Sequence, residues 1–231
     1  MGGPAPLIAL RPGHDEAMLE RAYRTLMVPA FPLEEELDDL ATLRDSLGRD
    51  GFHIVVGGDV EAIGTYELLP VTGCGLVGYI AVDPAARGRG WARRMLERAR
   101  ADLAAAAERR GGSLQALFGE IRDPRRAGEE SDSMAAADRA DVMRRLGARL
   151  VLREYVQPEL RAGGDRARGL MLVDFSGRLA FPVALLRAFL AEMFTSMGVT
   201  GVDTDSDFVA MVEALEQAAG EHDEVPTQVL A

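Results

Sequence analysis

One short stretch constrains the fold of this chain more than any other. The segment Ala85–Leu96 reads AARGRGWARRML, with two glycines and four arginines before a run of apolar residues at helical spacing. A strand-like run, Leu76–Val82, precedes it, and Pro84 ends that strand. Glycine allows positive φ and close approach to a ligand, and the first amides of a helix lack partners within it. A strand, a glycine turn and a helix start therefore predict an anion-binding site.

The glycine pattern narrows the kind of anion. A dinucleotide fingerprint needs G-x-G-x-x-G, but the run here is GRGWAR, so the third glycine is missing. All 26 basic residues are arginine, which excludes a Walker loop and a catalytic lysine. The pattern that is present is R-x-x-G-x-A, formed by Arg87, Gly90 and Ala92.

The segment Val82–Leu96 resembles motif A of the GCN5-related N-acetyltransferase (GNAT) superfamily, whose consensus is [QR]-x-x-G-x-[GA]. The resemblance implies an acyl donor, acetyl-coenzyme A or another acyl-CoA, and no metal. It implies that the pyrophosphate of the donor is held by Arg87, Gly88, Arg89, Gly90, Trp91 and Ala92. It also implies that the preceding strand holds the pantetheine arm and the oxyanion through the backbone of Ile80, Ala81 and Val82.

The order of predicted elements agrees with that resemblance. Periodicity predicts β-α-α-β-β-β-α-β-α-β-β up to Phe175, including one helix over Leu33–Leu47. The expected fold class is α/β, a GNAT-like mixed, mostly antiparallel sheet flanked by helices. Two amphipathic helices, Phe181–Met197 and Asp205–Ala219, follow, and then a tail, Glu221–Ala231, expected to be disordered.

We divide the chain into an acyltransferase domain, residues 1–175, and a C-terminal helical extension with its tail, residues 176–231. The two helices of the extension carry more apolar surface than a free tail tolerates. They are expected to pack on the sheet, to cap the acceptor cleft or to form the seam of a homodimer.

Composition bears on the partners. The 231 residues carry a formal net charge of -11, whereas nucleic-acid-binding proteins carry a basic surplus, so no nucleic acid is expected. No segment has the roughly 20 apolar residues that span a bilayer, and no signal peptide is evident, so we expect a cytoplasmic protein without a membrane partner. One cysteine and three scattered histidines offer no metal-ligand spacing.

Two acid/base groups that many GNAT enzymes use are missing. The strand Leu76–Val82 contains no acid where many relatives carry glutamate, and Met143 stands where many carry tyrosine. Three interpretations remain open: an N-acetyltransferase with another base, a transferase with a non-acetyl donor, and a coenzyme A-binding regulatory module that is weak or inactive in catalysis.

Glu120 is the candidate general base. It lies near the end of the apolar strand Leu114–Ile121, where burial should raise the pKa of a carboxyl group, as a base for an amine requires. The resemblance implies that this strand separates from its neighbour where the thioester enters. The alternative is a salt bridge between Glu120 and a nearby arginine.

Four further side chains are candidates for contact with a small-molecule amine acceptor: Tyr79, Tyr155, Glu35 and Asp123. The two tyrosines lie on strands on either side of the expected site and could equally pack in the core. Glu35 belongs to an acidic run that could select a cationic amine or complement a helix dipole. The function expected from these residues is coenzyme A-dependent N-acyl transfer, most simply N-acetylation, by direct attack of the amine on the thioester.

Overall fold

The computed structural model describes residues 5–126, 134–161 and 163–230. The strands in chain order are β1 (Leu7–Ala9), β2 (Phe52–Gly57), β3 (Ala62–Leu69), β4 (Cys74–Val82), β5 (Leu117–Arg122), β6 (Arg149–Gln157), β7 (Ala167–Asp174), β8 (Ala180–Pro182), β9 (Glu224–Pro226) and β10 (Gln228–Val229). The α-helices are α1 (Glu16–Ala22), α2 (Val28–Ala30), α3 (Leu40–Ser46), α4 (Trp91–Arg109), α5 (Ala136–Arg145), α6 (Val183–Ser196) and α7 (Ser206–Ala219). None of the helices in this described part of the chain is long and apolar enough to cross a membrane.

Eight strands form one open sheet, in the order β1-β2-β3-β4-β5-β7-β6-β10. The pair β4 and β5 is parallel, and the other neighbouring pairs are antiparallel. Helices cover both faces of this sheet. The predicted fold class, a mixed and mostly antiparallel sheet flanked by helices, is confirmed.

The sheet separates between β4 and β5. Their pairing ends where Val77 lies opposite Gly119, although β4 continues to Val82. At the same level β4 carries a bulge against β3, because Tyr79 pairs with Thr65 and Val77 with the next residue, Tyr66, which leaves Gly78 between the two pairs. A bulge bends its strand and increases the local twist. The bend directs the end of β4 away from β5, so a gap forms at this point.

Different helices cover the two faces of the sheet. On one face, α1 and α3 pack on β2 to β4 through residues such as Leu19 and Leu43, and the C-terminal helices α6 and α7 pack beside them on β4 to β7. On the opposite face, α4 packs through Leu96 and Leu103, and α5 contributes Met143. The gap between β4 and β5 joins the two faces.

The C-terminal helices share their core with the sheet. Phe189 of α6 lies on Phe118 of β5, with ring centroids 4.4 Å apart. The Glu192 carboxylate of α6 accepts hydrogen bonds from the backbone N–H and the hydroxyl of Thr72, at 2.9 and 2.7 Å, in the turn before β4. Of the arrangements considered for these helices, packing on the sheet is the one observed. The boundary at residue 175 and a homodimer stay predictions.

Two predicted elements are wrong. The helix expected over Leu33–Leu47 begins only at Leu40, because Leu37 has extended backbone and Asp39 caps the helix by accepting a hydrogen bond from the Thr42 N–H. The tail is ordered between Glu221 and residue 230. Its strands β9 and β10 pair with β8 and β6, and Val225 and Leu230 are buried, which offsets the entropy lost on ordering the chain.

Candidate functional site

Two cavities meet at the gap in the sheet. The first, which we call the α4 cleft, has a volume of about 510 Å³ and runs from the gap along the start of α4 to α5. The second, which we call the α6 cavity, has a volume of about 360 Å³ and lies between α3 and the C-terminal end of α6. Gly78 and Glu120 line both cavities. A ligand in one cavity can therefore reach a ligand in the other at these two residues.

The α4 cleft is shaped for an anion where α4 begins. Gly88 and Gly90 have φ of 78° and 81°, and a Cβ added to either would meet nothing within 4 Å. Glycine is therefore needed at both positions because the backbone has a positive φ, and not because a side chain would clash with a neighbour. The first backbone hydrogen bond of α4 runs from the Arg94 N–H to the Gly90 carbonyl, so the N–H groups just before Arg94 have no acceptor within the helix. These donors and the helix dipole fit a phosphate group.

The arginines around the α4 cleft come from two helices and the loop. The cleft is lined by Arg87, Arg93, Arg139 and Arg145. Arg89 takes part in the loop only through its backbone, because its side chain forms an ion pair with Glu61 at 2.7 Å. Arg94 lies over the Trp91 ring, 4.5 Å from its centroid. Arg93, Arg139 and Arg145 were not among the residues predicted from the sequence to hold the donor.

The remaining residues predicted to hold a donor lie along the same cleft. Trp91 and Ala92 line it, and so do Ile80, Ala81 and Val82 of β4. The ring of Trp91 is buried against Gly57 of β2, where a Cβ would come within 2.5 Å of the ring. Trp91 therefore anchors the start of α4 to the sheet. Residues 80–82 follow the last pair with β5, so the edge of β4 on that side is available to a ligand.

The carboxyl group of Glu120 lies where the two cavities meet. The pKa of Glu120 is raised to about 7, because burial and then the acidic neighbours Glu36, Asp38 and Glu67 outweigh the lowering by the Tyr155 hydroxyl. The Glu120 Oε1 atom is shielded from solvent and has no hydrogen-bond partner among the described residues. A carboxyl group with this pKa can accept a proton near neutral pH and release it again.

The alternative considered for Glu120, a salt bridge to Arg122, Arg125 or Arg153, is not seen among the described residues. Arg122 pairs with Glu36 at 2.6 Å, and Arg125 and Arg153 pair with Asp123. These arginines are therefore directed away from Glu120. The arrangement leaves Glu120 in an environment set by burial and by other acids.

Tyr155 is a buried neighbour of Glu120. Its side chain is fully buried, and its hydroxyl has no hydrogen-bond partner of regular geometry among the described residues. Burial and then the nearby Glu120 raise the pKa of Tyr155, so the hydroxyl stays protonated. Tyr155 thus interacts with the carboxyl group from within the core and does not line either cavity.

Acidic side chains dominate the polar lining of the α6 cavity. Four carboxyl groups line it, with one cationic side chain, Arg49; the acids are Asp38, Glu67, Glu120 and Glu159. The Tyr79 hydroxyl donates to Asp38 Oδ2 at 3.1 Å and accepts from the Asp38 N–H at 3.0 Å. Burial raises the pKa of Asp38 and of Glu67. The cavity therefore favours a positively charged ligand.

Other acids predicted to contact the acceptor lie outside this cavity. Glu35 is half-buried and lines neither cavity. Asp123 is buried in ion pairs with Arg125 and Arg153, at 3.2 Å each, which also hold its pKa below the usual range. Sequence reasoning missed Asp38 and Glu67. The local signal for Asp38 was its place in the same acidic segment as Glu35, but the extended backbone at Leu37 decides which acid faces the cavity.

Comparison with known proteins agrees with this geometry. Residues 49–127 match the profile of the family described as "Acetyltransferase (GNAT) domain". This match confirms the predicted resemblance to the GNAT acetyltransferases over residues 49–127. No curated protein matches the sequence.

Solved structures are similar to this chain, and one of them has a TM-score above 0.5. A protein assigned to the GNAT acetyltransferases of Bacteroides thetaiotaomicron is 22% identical, with a TM-score of 0.60 over 84% of this chain and 99% of that chain. The ribosomal-protein-S18-alanine N-acetyltransferase of Escherichia coli is 19% identical, with a TM-score of 0.46 over 74% and 94%. A Salmonella typhimurium protein assigned as an acetyltransferase, solved with acetyl-CoA, is 13% identical, with a TM-score of 0.46 over 76% and 96%.

Proposed function

We propose that this protein is a coenzyme A-dependent N-acyltransferase, most simply an N-acetyltransferase, that acylates a small amine by direct attack on the thioester. The observation that carries the proposal is the position of Glu120. A carboxyl group with a pKa of about 7 lies at the point where an anion-binding cleft and an acidic cavity meet. Direct transfer needs such a group between donor and acceptor.

The α4 cleft fits the donor. The amides around Gly88 and Gly90 suit the pyrophosphate, and the arginines that line the cleft suit the further negative charge of coenzyme A. The free edge of β4 at Ile80–Val82 offers backbone groups to the pantetheine arm. When bound there, the donor supplies a thioester carbonyl and a thiol leaving group. Gly78 has no side chain, so it leaves the passage between the cavities open.

Glu120 acts on both sides of that passage. The amine enters the α6 cavity as an ammonium ion and must lose a proton before it attacks, and the ionised Glu120 carboxylate accepts that proton. The protonated carboxyl group, with a pKa of about 7, can then give the proton to the departing thiolate, since a free thiol has a pKa of about 8.5. The second proton of the attacking nitrogen passes to solvent as the amide forms, so the products are the amide, the free thiol and one released proton. One residue thus serves as base and acid, which accounts for methionine at position 143.

A second candidate is a coenzyme A-binding module without turnover. Two observations favour it: Met143 lines the α4 cleft where many GNAT enzymes have a tyrosine, and β4 carries no acid. A transferase with a longer acyl donor would share the same cleft. Both alternatives retain binding of coenzyme A. They differ from the main proposal in whether free thiol is released and from which acyl donor.

Thiol release tests these candidates. The protein is incubated with acetyl-CoA and a panel of primary amines, free thiol is followed in time, and donor affinity is measured by calorimetry. We expect amine-dependent thiol release in wild type. In Glu120→Gln we expect unchanged donor affinity and a loss of release. Donor binding without release from acetyl-CoA or a longer acyl-CoA would favour the module, and release from the longer donor alone would replace acetyl as the group transferred.

A further inference from the structure

The charge of the α6 cavity exceeds what one amine needs. Its lining combines the carboxyl groups of Asp38, Glu67, Glu120 and Glu159 with a single cation, Arg49. Asp38 and Glu67 both lie close enough to Glu120 to interact with it electrostatically. A single ammonium group beside Glu120 would leave the other carboxylates without a matching charge. Several like charges gathered around one cavity are costly unless an opposite charge joins them.

Among the described residues, the partners of these carboxyl groups offset little of their negative charge. Glu67 has Arg49 as its ion-pair partner, but the nearest atoms are 3.8 Å apart and the Arg49 side chain is half exposed. Asp38 Oδ2 accepts a hydrogen bond from the neutral Tyr79 hydroxyl, at 3.1 Å. At the edge of the cavity, the Glu120 Oε1 atom is shielded from solvent and lacks a hydrogen-bond partner among the described residues. The cluster is therefore a prepared polar site and not an exposed acidic patch.

We propose that the acceptor carries at least two ammonium groups, one placed beside Glu120 and a second held by Asp38 and Glu67. This inference rests on the proposed function for the identity of the reacting group. Apolar side chains line the same cavity and can contact a short alkyl chain that joins the two amines; they are Phe52, Leu76, Leu160 and Met197. A diamine therefore matches both the charge and the lining of the cavity.

The test compares two acceptors of equal length that differ by one charge. Butane-1,4-diamine carries two ammonium groups, and 4-aminobutan-1-ol carries one ammonium and one hydroxyl. We expect kcat/KM for thiol release to be about 10- to 100-fold higher with the diamine, as charge-assisted hydrogen bonds to a second ammonium predict. Equal kcat/KM for the two acceptors would overturn the inference and leave the proposed function in place.

Variants locate the second ammonium. Glu67→Gln should lower the ratio of kcat/KM for the diamine to kcat/KM for the amino alcohol by about tenfold. Glu67→Asp retains the charge and should restore most of the preference. Glu97→Gln removes a carboxylate from the exposed face of α4 and should change neither value. Donor affinity equal to that of wild type shows that each variant is folded. A uniform decrease for both acceptors in Glu67→Gln would contradict the assignment.

Binding without chemistry separates the two proposals. Calorimetry measures the affinity of the protein, saturated with coenzyme A, for each acceptor. If no amine releases thiol but the diamine binds more tightly than the amino alcohol and needs Glu67, the proposed function fails and the inference holds for a binding site. If Mg²⁺ binds and displaces the diamine, the carboxylates form a metal site and the inference fails.

Discussion

The two cavities that meet at Glu120 are built in opposite ways. The α4 cleft takes its anion-binding part from one continuous run of chain, β4, the glycine loop and the start of α4. The α6 cavity is assembled from segments far apart in sequence: α3, the strands β3 to β5, the end of β6 and the end of α6. The proposed donor site can therefore form from one motif, whereas the proposed acceptor site depends on each of its distant segments.

The electrostatics of the two cavities differ in the same way. Arginines from α4 and α5 line the α4 cleft, and carboxyl groups line the α6 cavity. An anionic donor and a cationic acceptor are therefore each attracted to their own side of the sheet. Glu120 stands at the boundary, so a change there should affect the transfer step, and a change elsewhere should affect the ligand of one cavity.

The largest expected effect follows from removing the charge at that boundary. Glu120→Gln should lower kcat for thiol release by about 10²- to 10⁴-fold, because a positioned general base contributes that much. In wild type, kcat/KM should rise with pH through about 7 as Glu120 ionises, and this rise should disappear in the variant. The measurement is a pH–rate profile of both proteins with a fixed amine.

A matched acid serves as control for this prediction. Glu154 lies on β6 with an exposed side chain that pairs with Arg126. Glu154→Gln should retain the wild-type profile. A wild-type rate and pH profile in Glu120→Gln would remove the carboxyl group from the mechanism and would leave the gap in the sheet without a base.

The ionised carboxyl group of Glu120 should lower the free energy of unfolding at neutral pH. The pKa of Glu120 rises from 4.5 to about 7 on folding, so between these values the folded protein binds more protons than the unfolded chain, and stability falls as pH rises through this range. The full loss corresponds to about 3 kcal/mol. Glu120→Gln lacks this loss, so its free energy of unfolding relative to wild type should increase by about that amount from pH 4 to pH 8. Urea denaturation at both values measures it, and a constant difference would mean that Glu120 titrates normally.

A glycine pair can impair the α4 cleft alone. Gly90 and Gly111 lie at opposite ends of α4, with φ of 81° and 78° and open space around an added Cβ. Alanine at either position should cost about 1–2 kcal/mol of stability through left-handed backbone strain. Only Gly90→Ala should weaken coenzyme A binding, by about tenfold, because it distorts the loop that lines the cleft. Equal affinities of the two variants in calorimetry would argue against phosphate binding at this loop.

What could be predicted from sequence follows the same division between the cavities. The loop from Arg87 to Ala92 could be predicted because a few adjacent residues decide its conformation and the helix that follows it. The bulge at Gly78 could not be predicted, because it depends on how β4 pairs with β3. Glu67 reads as an ordinary acid in a strand, and only the packing of α3 and α6 on that face makes it part of a cavity.

The wrong elements have similar causes. The leucines at positions 37, 40, 43 and 47 have helical spacing, yet Leu37 is buried from extended backbone before α3 begins. That break places Asp38 at the Tyr79 hydroxyl. In the tail, Val225 and Leu230 are too few to form a periodic pattern, although both are buried and their neighbours pair with existing strands.

The smallest expected effect concerns the wall that the C-terminal extension gives to the α6 cavity. Met197, just after α6, lines the cavity, whereas Val202 packs against the same core and does not line it. Both side chains are partly buried, so alanine at either position should cost a similar amount of stability. Met197→Ala should raise the KM for the amine by about threefold to tenfold, because apolar contact with the bound acceptor is lost, and should leave the KM for the donor unchanged. Val202→Ala should leave both KM values unchanged. If Met197→Ala behaves like Val202→Ala in steady-state kinetics, the extension only supports the sheet, and selection of the acceptor belongs to α3 and the strands.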